Sequence, residues 1–317
     1  MRRLSGALVV VALLSSSIHS TRAQDSTRPV RIVVTFAPGG FPDRLARLIA
    51  KHLSDELPQR FFIENRPGAG GLVGSAEVAQ SAPDGTTLVL SSLVSHVLAP
   101  LVNPRAGLHA LASFSHIAYV GGPPNAFIVA SSSNLGSIAD VVNTSRATPR
   151  SYGTAGAGTV GHLAVEFVAQ KAGIKLVHVP YNGPMLGDVI SGVLDVGSMG
   201  LSTAAANIAG GKLRGFGVST NERLPDYPDI ATMREQGFDL VAANWLALSG
   251  PAGLPSLLVS RLNREVIKVL DLPEVRQTLR QEIIEPIGMR PDELTRFVQN
   301  EITRWTPIVQ STGLIKQ

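Results

Sequence analysis

The chain has 317 residues, 44% of them hydrophobic and 16% charged, a formal net charge of +4 and no cysteine. This is the composition of an ordinary globular protein with a sizeable core. The missing cysteines exclude disulfides, cysteine nucleophiles and thiolate metal sites. Residues 1–23 read as a secretory signal peptide. Arg2 and Arg3 precede an apolar run from Leu8 to Leu14, and Thr21-Arg22-Ala23 ends in a small residue suited to cleavage before Gln24. Removing Arg2, Arg3 and Arg22 lowers the formal charge to +1, so the charge argues for neither nucleic acid nor a membrane surface. The apolar run is too short to span a bilayer, and no later stretch offers ~18 uninterrupted apolar residues. The remaining ~290 residues are enough for two domains.

After the signal, short apolar runs alternate with helical patterns. Strands are expected at Ile32–Phe36, Phe61–Glu64, Thr87–Leu90, Phe127–Ala130, Ser151–Thr154, Leu176–Val179, Val193–Val196 and Arg214–Ser219. Most are continuously apolar, as buried parallel strands are. Leu45, Leu48, Ile49 and Leu53 mark one amphipathic helix, and Leu163, Phe167, Val168 and Lys171 another. The last third holds two amphipathic helices, Pro255 to Leu272 and Pro291 to Gln310, which would pack on an existing domain. The fold class is α/β with mostly parallel sheets.

The strand ending near Phe36 runs through Pro38-Gly39-Gly40 into a helix, with Pro42 suited to the first helical position and Phe41 to the N-cap. Glycine allows close backbone approach, and the first N–H groups of a helix lack internal partners, so such a junction can hold an anion. Asp43 complements the helix dipole. Three more polar or glycine-rich loops follow predicted strands: Ser91-Ser92 with Ser95-His96, Thr154-Ala155-Gly156-Ala157-Gly158-Thr159, and Pro180-Tyr181-Asn182-Gly183. In open α/β sheets ligands sit at the carboxyl ends of strands. Two loops from each half could therefore face one another across a cleft.

Gly156-Ala157-Gly158-Thr159-Val160-Gly161 has the dinucleotide spacing, but Lys175, Leu176 and Val177 stand where a ribose-binding acid is expected. This loop reads instead as a helix N-terminus for a small anion. His52, His96, His109, His116, His162 and His178 lack metal spacing, and His162 and His178 read as structural hydrogen-bonding groups. No Gly-x-Ser-x-Gly nucleophile motif is present, which disfavours an exported hydrolase. Arg276, Arg280, Glu282 and Glu285 read as a solvated face.

Several stretches resemble the Bug receptors, the TctC-like periplasmic solute-binding proteins of tripartite tricarboxylate transporters. These are Arg31-Ile32-Val33-Val34, Gly39-Gly40 with Asp43 and Ala46-Arg47, Glu64-Asn65-Arg66-Pro67-Gly68-Ala69-Gly70-Gly71, Ala82-Pro83-Asp84-Gly85-Thr86-Thr87-Leu88, Tyr152 to Leu163, Val177-His178-Val179-Pro180-Tyr181, Gly211-Lys212-Leu213-Arg214 and Pro251-Ala252-Gly253. The resemblance implies a two-domain flytrap fold, with residues 24–126 and 246–317 in one domain, residues 127–245 in the other, and a ligand cleft between. It also implies a non-catalytic receptor without cofactor or metal, binding a small carboxylate through loop backbone and delivering it, as a monomer in the periplasm, to transporter membrane components. A sensor signalling to a membrane histidine kinase is the alternative role. The implied binding residues are Pro38 to Phe41, Asp43, Ser91, Ser92, Ser95, His96, Thr154 to Thr159, Tyr181, Asn182, Gly183 and Met199. Phe41, Pro42, a shortened loop after Tyr181, and Met199 in place of an acid depart from the family pattern. They direct the expectation toward an aromatic or largely apolar mono- or dicarboxylate rather than an amino acid or citrate.

Overall fold

The computed structural model describes residues 28–181 and 183–315. The signal-peptide reading and Asn182 lie outside them. In chain order the first part contains β1 (Val30–Val34), α1 (Phe41–Glu56), β2 (Phe61–Asn65), α2 (Leu72–Ala79), β3 (Thr87–Ser92), α3 (Ala99–Val102) and β4 (Phe114–Gly121). The second part contains β5 (Asn125–Ala130), α4 (Ile138–Ser145), β6 (Ser151–Thr154), α5 (Val160–Ala172), β7 (Val177–Pro180), α6 (Leu186–Ile190), β8 (Val196–Gly200), α7 (Leu201–Ala209) and β9 (Leu213–Val218). The chain then returns through β10 (Leu246–Pro251) to α8 (Ser256–Leu270), α9 (Pro273–Gln281) and α10 (Pro291–Ser311).

These elements form two five-stranded sheets, ordered β2-β1-β3-β10-β4 and β7-β6-β8-β5-β9. Each sheet has four strands running one way and one reversed. β10 is antiparallel to both β3 and β4, and β5 is antiparallel to both β8 and β9. The reversed strands are those through which the chain enters each sheet from the other. A strand arriving from the cleft side necessarily runs against strands whose carboxyl ends point toward that side.

Burial follows the apolar pattern. Leu45, Ile49 and Leu53 of α1 and Val259, Leu262 and Val266 of α8 join Ile32, Val34, Leu88 and Leu90 in one core. α8 also donates Asn263 Nδ2 to the Ile117 carbonyl of β4 at 2.8 Å, so it packs on the first sheet as the sequence suggests. α10 behaves differently. Its Leu294, Val298 and Trp305 share a cluster with Tyr119 of the first sheet and with Phe127, Tyr152 and Leu163 of the second part. Buried Glu301 accepts hydrogen bonds from the indoles of Trp245 and Trp305 at 3.1 and 3.2 Å and pairs with Arg304. Burial raises its pKa against the pull of Arg304 and the two indoles. α10 therefore clamps the segment leading into β10 and packs against both halves.

Among the described residues, no helix is long and apolar enough to cross a membrane.

Candidate ligand-binding cleft

Between the two sheets lies a cleft of about 890 Å³, lined from both sides. Four helices of eight or more residues begin at its wall. α1 contributes Phe41 and Pro42, the turn before α2 contributes Gly70 and Gly71, α5 contributes Thr159 to Gly161, and α7 contributes Ser202 and Thr203. α1, α2 and α7 each have glycine at the N-cap with no side-chain hydrogen bond capping the first turn. Only α5 is capped, by Thr159, whose hydroxyl accepts from the His162 N–H. Orphan N–H groups and four positive dipole ends therefore converge on one space. Among the described lining residues there is no Lys, Arg or His, and Glu282 is the one ionisable side chain.

Small residues make this convergence possible. Gly71 has φ +90°, and a Cβ there would lie 2.6 Å from that of Ser95. At Gly161 a Cβ would lie 2.5 Å from the Ser198 carbonyl oxygen, so glycine lets α5 rest directly on β8. The third glycine of the apparent dinucleotide motif thus serves helix–sheet packing. Ser198 Oγ donates to the Gly161 carbonyl at 2.9 Å and accepts from Asn125 Nδ2 at 2.9 Å, tying β5, β8 and α5 together at the cleft floor. Two buried polar atoms at the wall, Thr35 Oγ1 and Asn244 Oδ1, have no hydrogen-bond partner within the protein.

Of the residues expected from sequence, Phe41, Ala155, Thr159, Gly183 and Met199 line the cleft. Pro38, Gly39 and Gly40 stand exposed in the loop before α1, outside the lining. Gly40, not Phe41, is the N-cap, and Pro42 follows Phe41 within the first turn. Asp43 faces inward: it is buried and accepts from the Gly39 N–H at 2.9 Å, Arg47 Nε at 3.1 Å and Asn65 Nδ2 at 2.9 Å. Burial alone would raise its pKa, but these donors overcome it and hold the carboxyl at about 2. Asn65 also donates to the Phe36 carbonyl at 3.1 Å. The Asn of the Glu-Asn-Arg-Pro block thus locks the loop before α1, while the glycines ending that block reach the cleft, a contribution the sequence reading omitted.

Ser91, Ser92, Ser95 and His96 are fully buried and line no part of the cleft. Ser91 donates to the Ala247 carbonyl at 2.8 Å and meets Ser249 Oγ at 3.1 Å, joining β3 to β10. Ser92 and Ser95 satisfy each other's backbone N–H groups at 3.0 and 3.1 Å. His96 packs on Phe114, and burial, with His116 nearby, keeps its imidazole neutral.

The loop before α5 is held by neutral groups. Thr154 Oγ1 meets His178 Nε2 at 2.7 Å, Thr159 Oγ1 donates to the Gly156 carbonyl at 2.7 Å, and the Gly158 N–H donates to His162 Nδ1 at 3.1 Å. These bonds consume the Thr154 hydroxyl and leave Gly156, Ala157 and Gly158 outside the lining. His162, His178 and Tyr152 stack in a row, with centroids 4.0 and 4.9 Å apart. Burial, and then the neighbouring His178, lowers His162 to about 4. Tyr181 turns its hydroxyl to Asp188.

Residues the sequence reading passed over include Thr35, Asn125, Ser198, Ser202, Thr203 and Asn244. Glu282, read as part of a solvated face, also reaches the cleft.

A family model described as "Tripartite tricarboxylate transporter family receptor" matches residues 45–314. Protein BugT of Bordetella pertussis is 29% identical over 315 residues, covering 97% of each chain. A solved R. palustris protein with adipate is 32% identical, with a TM-score of 0.77 over 90% of this chain and 98% of the other. MatC from Rhodopseudomonas palustris, with bound malate, is 29% identical, with a TM-score of 0.75 over 89% and 99%.

Proposed function

The chain belongs to the tripartite tricarboxylate transporter receptor family, solute-binding receptors rather than enzymes, and from that premise we propose that it captures a small carboxylate in the periplasm and delivers it to a transporter membrane complex. The observation that carries the ligand class is the convergence of four helix N-termini, three without a side-chain cap, on a cleft with no cationic side chain among its described lining residues. Anions are stabilised by orphan N–H groups and dipole ends without a guanidinium or ammonium. Two solved relatives are described with carboxylates, adipate and malate, which supports the carboxylate class without fixing the number of carboxyl groups.

The apolar part of the wall supports a ligand with a hydrocarbon or aromatic body. Phe41, Met185, Leu186 and Met199 face the same space from both sides, and burying aliphatic or aromatic carbon against them is favourable. We assign Phe41, Thr159, Gly183 and Met199, together with the newly placed Thr35, Gly71, Ser202 and Asn244, as the residues around the ligand. The division of the chain into domains at residues 127 and 245 follows from the same reading.

A thermal-shift screen of carboxylic acids on the mature protein tests this. An acid present at 100 times its dissociation constant should add ~2.7 kcal/mol of stability and raise the melting temperature by several degrees. Mixing should leave the acid chemically unchanged. Silence across the screen, or consumption of an acid, would refute the reading.

A further inference from the structure

The one ionisable side chain among the described lining residues is acidic, which is unexpected in a space built to attract anions. Glu282 follows α9, and three observations fix its place. The next residue, Ile283, has φ +57°, a region that β-branched residues avoid. Its N–H donates to the Arg280 carbonyl at 3.0 Å and the Ile284 N–H to Leu279 at 2.9 Å, closing the helix with the turn that glycine ordinarily makes. Ile283 packs against the cluster containing Met199 and Leu201 of the second part, while Ile284 is buried in the core of the first sheet. Glu282 is thus pinned at the seam between the two halves by neighbours anchored on opposite sides. Its carboxylate lies 3.5 Å from Arg44 Nη2, a guanidinium that is 58% exposed and whose Nη1 donates to the Gly39 carbonyl.

Resting on the carboxylate reading above, we infer that Glu282 is a specificity-determining residue that limits the ligand to one carboxylate, admitting monocarboxylates with a neutral body and disfavouring dicarboxylates and tricarboxylates. The helix N-termini supply favourable potential for an anionic group. A second carboxylate directed toward Glu282 would meet a negative charge that its partner Arg44, itself exposed to solvent, only partly offsets. A like-charge interaction near a protein surface is worth on the order of a tenfold change in affinity. Backbone strain held in place by packing on both sides marks this turn as a position fixed by its surroundings.

The test compares hexanoate with adipate, which has the same chain length and differs by one carboxylate, in calorimetric titrations of the mature wild-type protein and of Glu282→Gln. Gln preserves shape and removes charge, and the melting temperature of the unliganded variant reports whether it remains folded. Wild type should bind hexanoate about tenfold more tightly than adipate, and the variant should bring the two within about threefold by gaining adipate affinity. Adipate binding wild type more tightly, with an unchanged ratio in the variant, would overturn the inference while leaving the carboxylate reading intact. 6-Aminohexanoate provides a third arm. Binding tighter than hexanoate that is lost in Glu282→Gln would support the charge limit, since the carboxylate that repels a second anion also attracts an ammonium, and would overturn only the preference for a neutral body. Should no arm bind either protein while a broader acid screen is also silent, the carboxylate reading itself fails.

Discussion

The loops that lead into α1 and α5 follow the same strand–loop–helix course and are supported by opposite chemistry. The loop before α1 hangs on one buried carboxylate, Asp43, which gathers a backbone N–H, a guanidinium and an amide. The loop before α5 hangs on neutral groups, two threonine hydroxyls and two imidazoles, among which the hydrogen bonds are distributed. A charged clasp concentrates its strength in one side chain and survives until strong acid protonates it. A neutral clasp spreads its strength and yields when an imidazole gains a proton.

Asp43→Ala should have the largest effect, because it strands three donors at once. A loss of ~3 kcal/mol in chemical denaturation is expected, with carboxylate affinity falling as the loop loosens. A loss smaller than that of any single change around α5 would break the asymmetry. Next is Gly161→Ala, whose Cβ would meet the Ser198 carbonyl at 2.5 Å. Lifting α5 from β8 should cost ~2 kcal/mol and weaken binding on the second side of the cleft. Unaltered stability and affinity would show that the close approach is dispensable.

The comparison sharpens most in its pH dependence. His162 titrates at about 4 when folded, below its ordinary 6.5, so between these values the unfolded chain binds more protons. Stability from this group is complete above pH 6.5 and is lost as pH falls from 6.5 toward 4. The expected loss from this group between pH 7 and pH 4.5 is ~2 kcal/mol. Asp43 has the opposite sense of ionisation and a lower window: its contribution is complete above pH 3.8 and is lost as pH falls from there toward 2. Denaturation at pH 7 and pH 4.5 should therefore show a smaller difference in His162→Asn than in wild type, whereas Asp43→Asn should leave that difference unchanged. Equal slopes in wild type and His162→Asn would refute the neutral clasp as the acid-sensitive one. The smallest effect is expected from Thr159→Ala, which removes the cap of α5 at a cost of ~1 kcal/mol and should be visible as a melting shift of a few degrees.

Much of the framework was legible in the sequence. Ser151–Thr154 is a strand at the residues expected, and the stripes of α1 and α8 are buried as their spacing requires. Two strands were missed. β4 and β10 carry Ser115, His116 and Ser249 inside the sheet, and His116 Nδ1 meets Ser249 Oγ at 3.2 Å. Polar residues that satisfy one another across a strand pair break the apolar run that betrays a buried strand. β8 was placed too early, on Val193, which is 70% exposed. The strand itself is rich in small residues because Ile128 crowds Gly197 and Gly161 rests on Ser198. At the cleft, glycine-rich loops pointed to the correct ends of the strands. Which atoms face the ligand space depends on partners distant in sequence: Asn65 claims Asp43, His178 claims Thr154, and β10 claims Ser91.

The reversed strand in each sheet also constrains the order in which the protein is made. β4 is complete at Gly121, but β10, which must sit between β3 and β4, begins only at Leu246. Synthesis therefore leaves Leu88 and Leu90 on an unpaired strand edge while ~125 further residues emerge, an exposure that favours aggregation. The second sheet has no such delay, because β5 precedes its partners β8 and β9 and all of its strands lie within one continuous segment. The half made later is the first able to close, and the half made earlier waits for the end of the chain.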